Sequence, residues 1–263
     1  MSALSAPLAT IVIPAYREGA RLPALLDALV AEALAARAPP IEVVVVDDGS
    51  GARDAERERA AASDAAARLG AAGAPHRVRF VATPRNRGKG AAIRRGWAEA
   101  DPGAAWLGFL DADGAVSARE AWRLVRMLER DDADVLAATR MLMAGHVIER
   151  SLFRHLQGRV FATLAESALH LGFYDTQCGL KLFRASLLRP HLAELREDRW
   201  LLDVEVIALL QRDGARCREV PIDWVDPGGS KVVPGLDALR MAAGLWQVRR
   251  RLGGPARRGR HHS

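Results

Sequence analysis

Asp111 and Asp113 stand one residue apart in Asp111-Ala112-Asp113-Gly114, directly after the apolar run Trp106–Leu110. Two hard oxygen donors on one short turn suit Mg²⁺ or Mn²⁺ rather than zinc, and such ions usually sit with substrate phosphates. Taken alone, the pair could be a solvated turn, since Asp-Gly is common turn chemistry. Its companions change that reading. Pro14-Ala15-Tyr16-Arg17-Glu18, Asp47-Asp48-Gly49-Ser50 and Asn86-Arg87-Gly88-Lys89-Gly90 each follow a β-branched run in the same way. In the third cluster, glycines at a helix start predict exposed backbone N–H groups that favour an anion. The P-loop order is absent, and no Gly-x-Gly-x-x-Gly follows the first run, which argues against a dinucleotide-dependent dehydrogenase.

The elements behind these clusters alternate strictly. Ala9–Ile13, Ile41–Val46, Arg77–Ala82 and Trp106–Leu110 read as strands, with Val135–Thr139 as a further one. Ile41–Val46 is almost continuously apolar, as a parallel strand covered on both faces requires. Residues 20–37, 53–70, 88–100 and 117–130 read as the intervening helices. Such alternation predicts βαβ units and an open, mostly parallel sheet, whose ligands bind at the carboxyl ends of the strands. Four polar loops delivered to one edge therefore describe one site.

The second half is less regular. Residues 146–171 read as a long amphipathic helix with Ile148, Leu152, Phe153, Leu156, Val160 and Leu164 as its stripe. Leu180–Arg184 and Arg216–Asp223 read as strands, and Leu201–Asp213 and 235–251 as helices.

The formal charge of +6 is concentrated at one end. Residues 249–260 carry six arginines and no acid, so positions 1–248 hold 32 basic and 32 acidic residues and are neutral. A nucleic-acid-binding face is therefore disfavoured. The chain has only three lysines, Lys89, Lys181 and Lys231, each in a glycine-containing motif. Cys178 and Cys217 are too few for a disulfide framework and read as buried small residues, which suits a reducing cytoplasm. No signal peptide or 18-residue apolar span is visible, so any membrane contact is expected to be peripheral, on the cytoplasmic face. Trp200 and Trp224 read as packing residues.

Taken together, Ile13-Pro14-Ala15-Tyr16, Val46-Asp47-Asp48-Gly49-Ser50, Asn86-Arg87-Gly88-Lys89-Gly90 and Asp111-Ala112-Asp113-Gly114 resemble the family 2 glycosyltransferases of the GT-A fold. Asp175-Thr176-Gln177-Cys178-Gly179-Leu180-Lys181-Leu182-Phe183 is similar to the dolichyl-phosphate glucosyltransferase branch. So are Arg199-Trp200-Leu201-Leu202-Asp203-Val204-Glu205, Glu219-Val220-Pro221-Ile222-Asp223-Trp224 and Gly229-Ser230-Lys231. The resemblance runs from about residue 9 to about residue 233. Some mannosyl synthases place a metal-binding Gln two residues past the second Asp; Ala115 stands there, which fits the glucosyl branch better.

The resemblance implies an α/β GT-A domain: residues 1–145 as its nucleotide-sugar half, 146–234 as its acceptor half, and 235–263 as an amphipathic helix with an Arg-rich tail. It gives Pro14, Tyr16, Glu18 and Asp48 to the base and ribose, Asp111 to the nucleotide end, and Asp113 to the metal bridging the diphosphate. Lys89 joins this nucleotide-sugar set. Lys181 falls near the reacting phosphates, and Ser230 and Lys231 in a loop over the donor diphosphate. The implied activity is inverting transfer of a hexose from UDP-glucose to a polyprenyl phosphate, with Mg²⁺ or Mn²⁺. A hydroxyl acceptor would instead need a carboxylate base, Asp203 first and Asp175 second. A soluble small-molecule glycosyltransferase and a non-catalytic nucleotide-sugar-binding module are the alternatives. A nucleotidyltransferase would carry a glycine-rich loop where Pro14-Ala15-Tyr16 stands. Oligomeric state is left open. The arginines after Leu245, Trp246 and Val248 predict contact with an anionic membrane surface.

Overall fold

The computed structural model of the chain describes residues 6–36, 38–141, 148–149, 167, 169–225 and 236–253. The first half follows the expected alternation: β1 (Ala9–Ala15), α1 (Leu22–Ala35), β2 (Ile41–Asp47), α2 (Ala52–Ala71), β3 (Arg77–Ala82), α3 (Lys89–Ala98), β4 (Trp106–Leu110), α4 (Ala118–Met127) and β5 (Val135–Thr139). All seven residues of β2 are buried, as a nearly continuous apolar strand between two helix layers must be. An N-cap opens α4, with the Ser117 side chain accepting the Glu120 N–H three residues on.

The second half contributes β6 (Ile148–Glu149), β7 (Leu180–Arg184), α5 (Leu202–Arg212), β8 (Cys217–Pro221), β9 (Trp224–Val225) and α6 (Leu236–Leu252). Seven strands form one sheet in the order β3-β2-β1-β4-β7-β5-β8, and β6 pairs with β9 in a separate parallel ladder. Strands β1 to β4 are mutually parallel, and β5 pairs parallel with β8. Between these groups β7 runs antiparallel to both β4 and β5. The α/β GT-A expectation holds, and the antiparallel insertion makes the sheet mixed. The helix expected over 146–171 does not hold at its start, where Ile148–Glu149 is a strand, nor at His170 and Leu171, which are not helical. Most of its remainder lies outside the described residues.

Helices cover both faces. Apolar residues of α1, α2 and α4, among them Leu26, Ala62, Leu69 and Trp122, pack on one. Those of α3, α5 and α6, including Ile93, Trp97, Ile207, Leu245 and Val248, pack on the other. Among the described residues no helix is long and apolar enough to cross a membrane.

Leu245 and Val248 are thus committed to the core, not turned outward. Arg251 on α6 reaches Glu205 at 2.6 Å and Glu197 at 3.0 Å, so it is not part of a free basic tail. What α6 presents to solvent is Trp246, 60% exposed, with the Arg250 guanidinium 5.1 Å from its ring centroid. Residues 254–263, with the last three arginines, lie outside the described residues.

Candidate active site

The insertion of β7 builds the centre of the site. Its register sets Lys181 beside Phe109 and Leu180 beside Leu110. One step further the Asp111 N–H donates to the Gly179 carbonyl at 2.8 Å. This approach needs glycine: a Cβ on Gly179 would lie 2.6 Å from Asp111 Oδ2 and 2.9 Å from its Cβ. Lys89, at the start of α3, brings Nζ to 2.6 Å from Asp111 Oδ1. Both ammonium groups lie close to one ring, with Lys89 Nζ 5.0 Å and Lys181 Nζ 5.6 Å from the Phe109 centroid. Trp200 adds a second face 5.9 Å from Lys89 Nζ.

Lys181 is fully buried and donates to the Cys178 carbonyl at 2.7 Å and to Asp203 Oδ2 at 3.2 Å. The other Asp203 oxygen accepts the Val204 N–H at 2.8 Å and Gln177 Nε2 at 3.2 Å. Burial raises the Asp203 carboxyl above the ordinary range, while Lys181 and Lys89 pull it back. For Lys89, burial works against the charge, but Asp111 and Asp203 hold its pKa above the usual lysine value.

Asp113 also titrates high, through burial first and the neighbouring charge of Asp111 second. Its Oδ1 accepts the Ala115 N–H at 3.0 Å, and Arg21 supplies a compensating charge. A carboxylate whose ionisation is opposed by its neighbour's charge, with two hard oxygen donors on one turn, fits a divalent cation. Among the described residues no group of three His, Cys, Asp or Glu side chains forms a metal cage. A cation held by this pair would draw its remaining ligands from water and a substrate diphosphate.

At the β1 end Arg17 has a left-handed backbone (φ 55°), and its guanidinium lies 5.0 Å from the Tyr16 ring centroid. The buried Glu18 carboxylate takes Arg21 bidentately, at 2.7 Å and 2.6 Å. Pro14 is the penultimate residue of β1 and pairs with Val46. Asp48, also buried, accepts the N–H groups of Arg87 at 2.9 Å and Gly88 at 2.7 Å. Burial raises its pKa, and these two N–H groups oppose the rise.

The same contacts revise the reading of Gly88 and Gly90. The Gly88 N–H is taken by Asp48 and the Ala91 N–H by the Asp198 carbonyl at 3.0 Å. A Cβ on Gly90 would lie 2.5 Å from the Glu197 carbonyl. These glycines admit the backbone of 197–199 and do not offer an open anion cradle.

Asp175, the second base candidate, is locked. Arg140 engages it at 2.6 Å and 2.8 Å, and Gln177 N–H donates to it at 3.1 Å. Burial alone would raise its pKa, but Arg140 and Lys181 hold it at about 2, too acidic to take a proton from a hydroxyl. Both cysteines are buried thiols, raised by burial to about 11 for Cys178 and about 12 for Cys217, which leaves them unreactive. Trp224 is a buried packing residue with Arg140 over its ring at 5.3 Å. Ser230 and Lys231 lie outside the described residues.

Sequence reasoning missed Arg21, Arg140 and Glu58. Arg21 was findable from its i,i+3 spacing to Glu18. Glu58 is a fully buried acid in phase with Ala62, Ala65 and Leu69 along α2, and a charge on an apolar stripe is a signal. Arg140 has no comparable local signature.

A family model described as "Glycosyl transferase family 2" matches residues 10–192. The dolichyl-phosphate beta-glucosyltransferase of Drosophila melanogaster is 32% identical over 249 residues, 91% of this chain and 73% of that protein. The protein of the same name from Dictyostelium discoideum is 28% identical over 253 residues, with the same coverage. Among solved structures, the mannosyltransferase PcManGT of Pyrobaculum calidifontis, in complex with GDP-Man and Mn²⁺, superimposes with a TM-score of 0.58 at 19% identity. That likeness covers 90% of this chain and 61% of the other, and it supports the fold.

Proposed function

The chain belongs to glycosyltransferase family 2, and on that premise we propose that it transfers glucose from UDP-glucose to the phosphate of a polyprenyl lipid, with inversion at the anomeric carbon. The observation that carries this reading is the convergence of Lys89, Asp111, Lys181 and Asp203 around Phe109 at the carboxyl edge of the sheet. Tyr16, Glu18, Asp48 and the end of β1 at Pro14 would receive the base and ribose. Asp111 and Asp113 would hold Mg²⁺ or Mn²⁺. When bound, that ion neutralises charge on the leaving diphosphate. Lys89 faces the same region and is drawn from Asp111 toward phosphate oxygens as they arrive.

An acceptor phosphate oxygen attacks the anomeric carbon from the face opposite the diphosphate. The new C–O bond forms as the old one breaks, and UDP leaves with the electron pair. A phosphate acceptor is already anionic at neutral pH, so it needs no general base. The structure of the Asp203 site supports this choice. Its oxygens are taken by Lys181, Gln177 and the Val204 N–H, which suits a counter-ion for Lys181 better than a base open to a substrate hydroxyl. The dolichyl-phosphate names of the relatives support a lipid phosphate. Exposed Trp246 with Arg250 over its ring suits the bilayer surface where such a headgroup emerges.

The test offers UDP- and GDP-sugars with Mg²⁺ or Mn²⁺, with and without a short polyprenyl phosphate, and follows nucleotide release and glycolipid formation. UDP-glucose with the lipid should turn over, and Asp113→Asn should lose at least about 100-fold. Transfer to a water-soluble alcohol but not to the lipid would overturn the acceptor assignment. A preference for GDP-mannose would overturn the donor.

A further inference from the structure

Glu58 is a fully buried carboxylate that lies outside the set expected to touch donor, metal or acceptor. It projects from α2 beneath the bend between β1 and α1. Its Oε1 accepts the Glu18 N–H at 2.8 Å, and both its oxygens lie 3.3 Å from Ser50 Oγ. Ser50 Oγ in turn accepts the Arg17 N–H at 2.7 Å. Glu58 and Ser50 therefore hold two consecutive backbone N–H groups of the bend, one directly and one through a hydroxyl. Arg17 is the residue in left-handed backbone there, an uncommon state for a long side chain that the surrounding contacts must sustain.

We propose that Glu58 is a positioning residue for the nucleotide donor: its ionised carboxylate fixes the Tyr16–Glu18 bend in the shape that receives the base and ribose. This rests on the donor reading above. The hydrogen-bond inventory explains why ionisation matters. Ser50 Oγ accepts from Arg17 and donates its single hydrogen toward Glu58, and the Glu18 N–H also needs an acceptor. A carboxylate satisfies both. A carboxylic acid or an amide can still accept the Glu18 N–H, but it turns a donor hydrogen toward Ser50, so the hydroxyl must swing its own hydrogen away from Glu58 and the link to the Arg17 N–H is rearranged.

The surroundings make that ionisation pH-sensitive near neutrality. Burial first, then the negative charges of Asp47 at the end of β2 and Asp54 on α2, raise Glu58 to about 7 against the opposing hydrogen bonds from Glu18 N–H and Ser50. Arg21, immediately before α1, is already paired with the Glu18 carboxylate, and α1 itself carries no cation. Donor binding that requires the ionised form strengthens as pH rises toward that value and levels off above it. It weakens by up to tenfold per pH unit below.

The experiment is calorimetric titration of UDP-glucose with Mg²⁺ between pH 6.0 and 8.5, a range in which the nucleotide sugar itself does not titrate. The wild type should bind at least fivefold more tightly at pH 8 than at pH 6. Glu58→Gln should bind at pH 8 about as weakly as the wild type at pH 6, with a flat profile, and its kcat at saturating donor should stay within about threefold. Ser50→Ala removes only the hydroxyl link and should give a smaller loss; it also serves if Glu58→Gln does not fold. A flat wild-type profile, a wild-type profile retained in Glu58→Gln, or Ser50→Ala binding as the wild type does would overturn the proposal and leave the donor reading standing. A wild type that binds neither UDP-glucose nor GDP-mannose at any pH would overturn both.

Discussion

Replacing Lys181 by methionine separates the buried pair from everything around it. The aliphatic stem is largely preserved, so little cavity forms, and the ammonium alone is removed. Lys181 is 0% and Asp203 6% exposed, so water cannot take over the lost partner. Removing one member of a buried ion pair typically costs about 3–5 kcal/mol, because the other charge stays behind unpaired. Asp203 keeps Gln177 and the Val204 N–H, which argues for the lower half of that range, about 3–4 kcal/mol. The loss of the donor to the Cys178 carbonyl pushes the other way. In a domain of this size each kcal/mol is worth roughly 2–4 °C in Tm. The melting temperature should therefore fall by roughly 6–16 °C at pH 7.5. The pH dependence carries a sign. Asp203 is raised in the folded protein, and losing Lys181 raises it further. Below its folded pKa it takes a proton and the unpaired charge disappears. The deficit should thus be largest near neutrality and shrink as pH falls toward 5, and Asp203→Asn in the same background should recover most of it. Urea unfolding of the wild type, Lys181→Met and the double variant at pH 7.5 and pH 5 measures all of this. A loss below about 1 kcal/mol at pH 7.5, or one that does not shrink on acidification, would refute the pairing.

Gly179→Ala should disturb chemistry more than folding, because its Cβ must displace the Asp111 carboxyl from Lys89. Steady-state assays should show kcat/KM down by about 10–100-fold while the thermal melt moves by only a few degrees. Arg251→Ala should leave the buried Glu205 with only its backbone donors, Arg196 N–H and Glu197 N–H. Since Arg251 is partly exposed, the cost should be about 1–3 kcal/mol. Hydrogen exchange should accelerate together in 236–253 and 196–199, and exchange confined to α6 would count against a link between the two.

The strands that deliver the four polar loops were legible because a buried parallel strand leaves a nearly continuous β-branched run, as in Ile41-Glu42-Val43-Val44-Val45-Val46. The polar clusters end those runs, so their gathering at one edge followed from the alternation alone. What periodicity does not encode is the order of strands within a sheet. Leu180–Arg184 was readable as a strand, but nothing local told that it would run antiparallel between β4 and β5, and that placement joins Lys181 to Phe109 and Gly179 to Asp111. The glycines of Gly88-Lys89-Gly90 were visible, yet their use was not. A close backbone approach and an anion cradle ask for the same residue type, and only the arrival of 197–199 distinguishes them. Glu58 and Arg21 are intermediate cases, each marked by spacing along one helix but interpretable only once the facing loop is known.

The antiparallel strand at the middle of the sheet also bears on how the protein can be made. During synthesis β4 leaves the ribosome well before β7, and in that interval its outer edge presents unpaired N–H and C=O groups to any passing strand. The next strand to emerge, β5, is its neighbour in the chain but not in the native sheet. Direct β4–β5 pairing is therefore a nearby error that closes the gap Lys181 must fill. Folding has to hold that gap open until the second half arrives, a long-range closure of the kind that slows folding and lengthens exposure to aggregation. A nascent chain of this design gains most from a chaperone during the stretch between Leu110 and Leu180. For the same reason, a gene split within that stretch would yield two fragments with matching open edges, which suits reassembly better than separate survival.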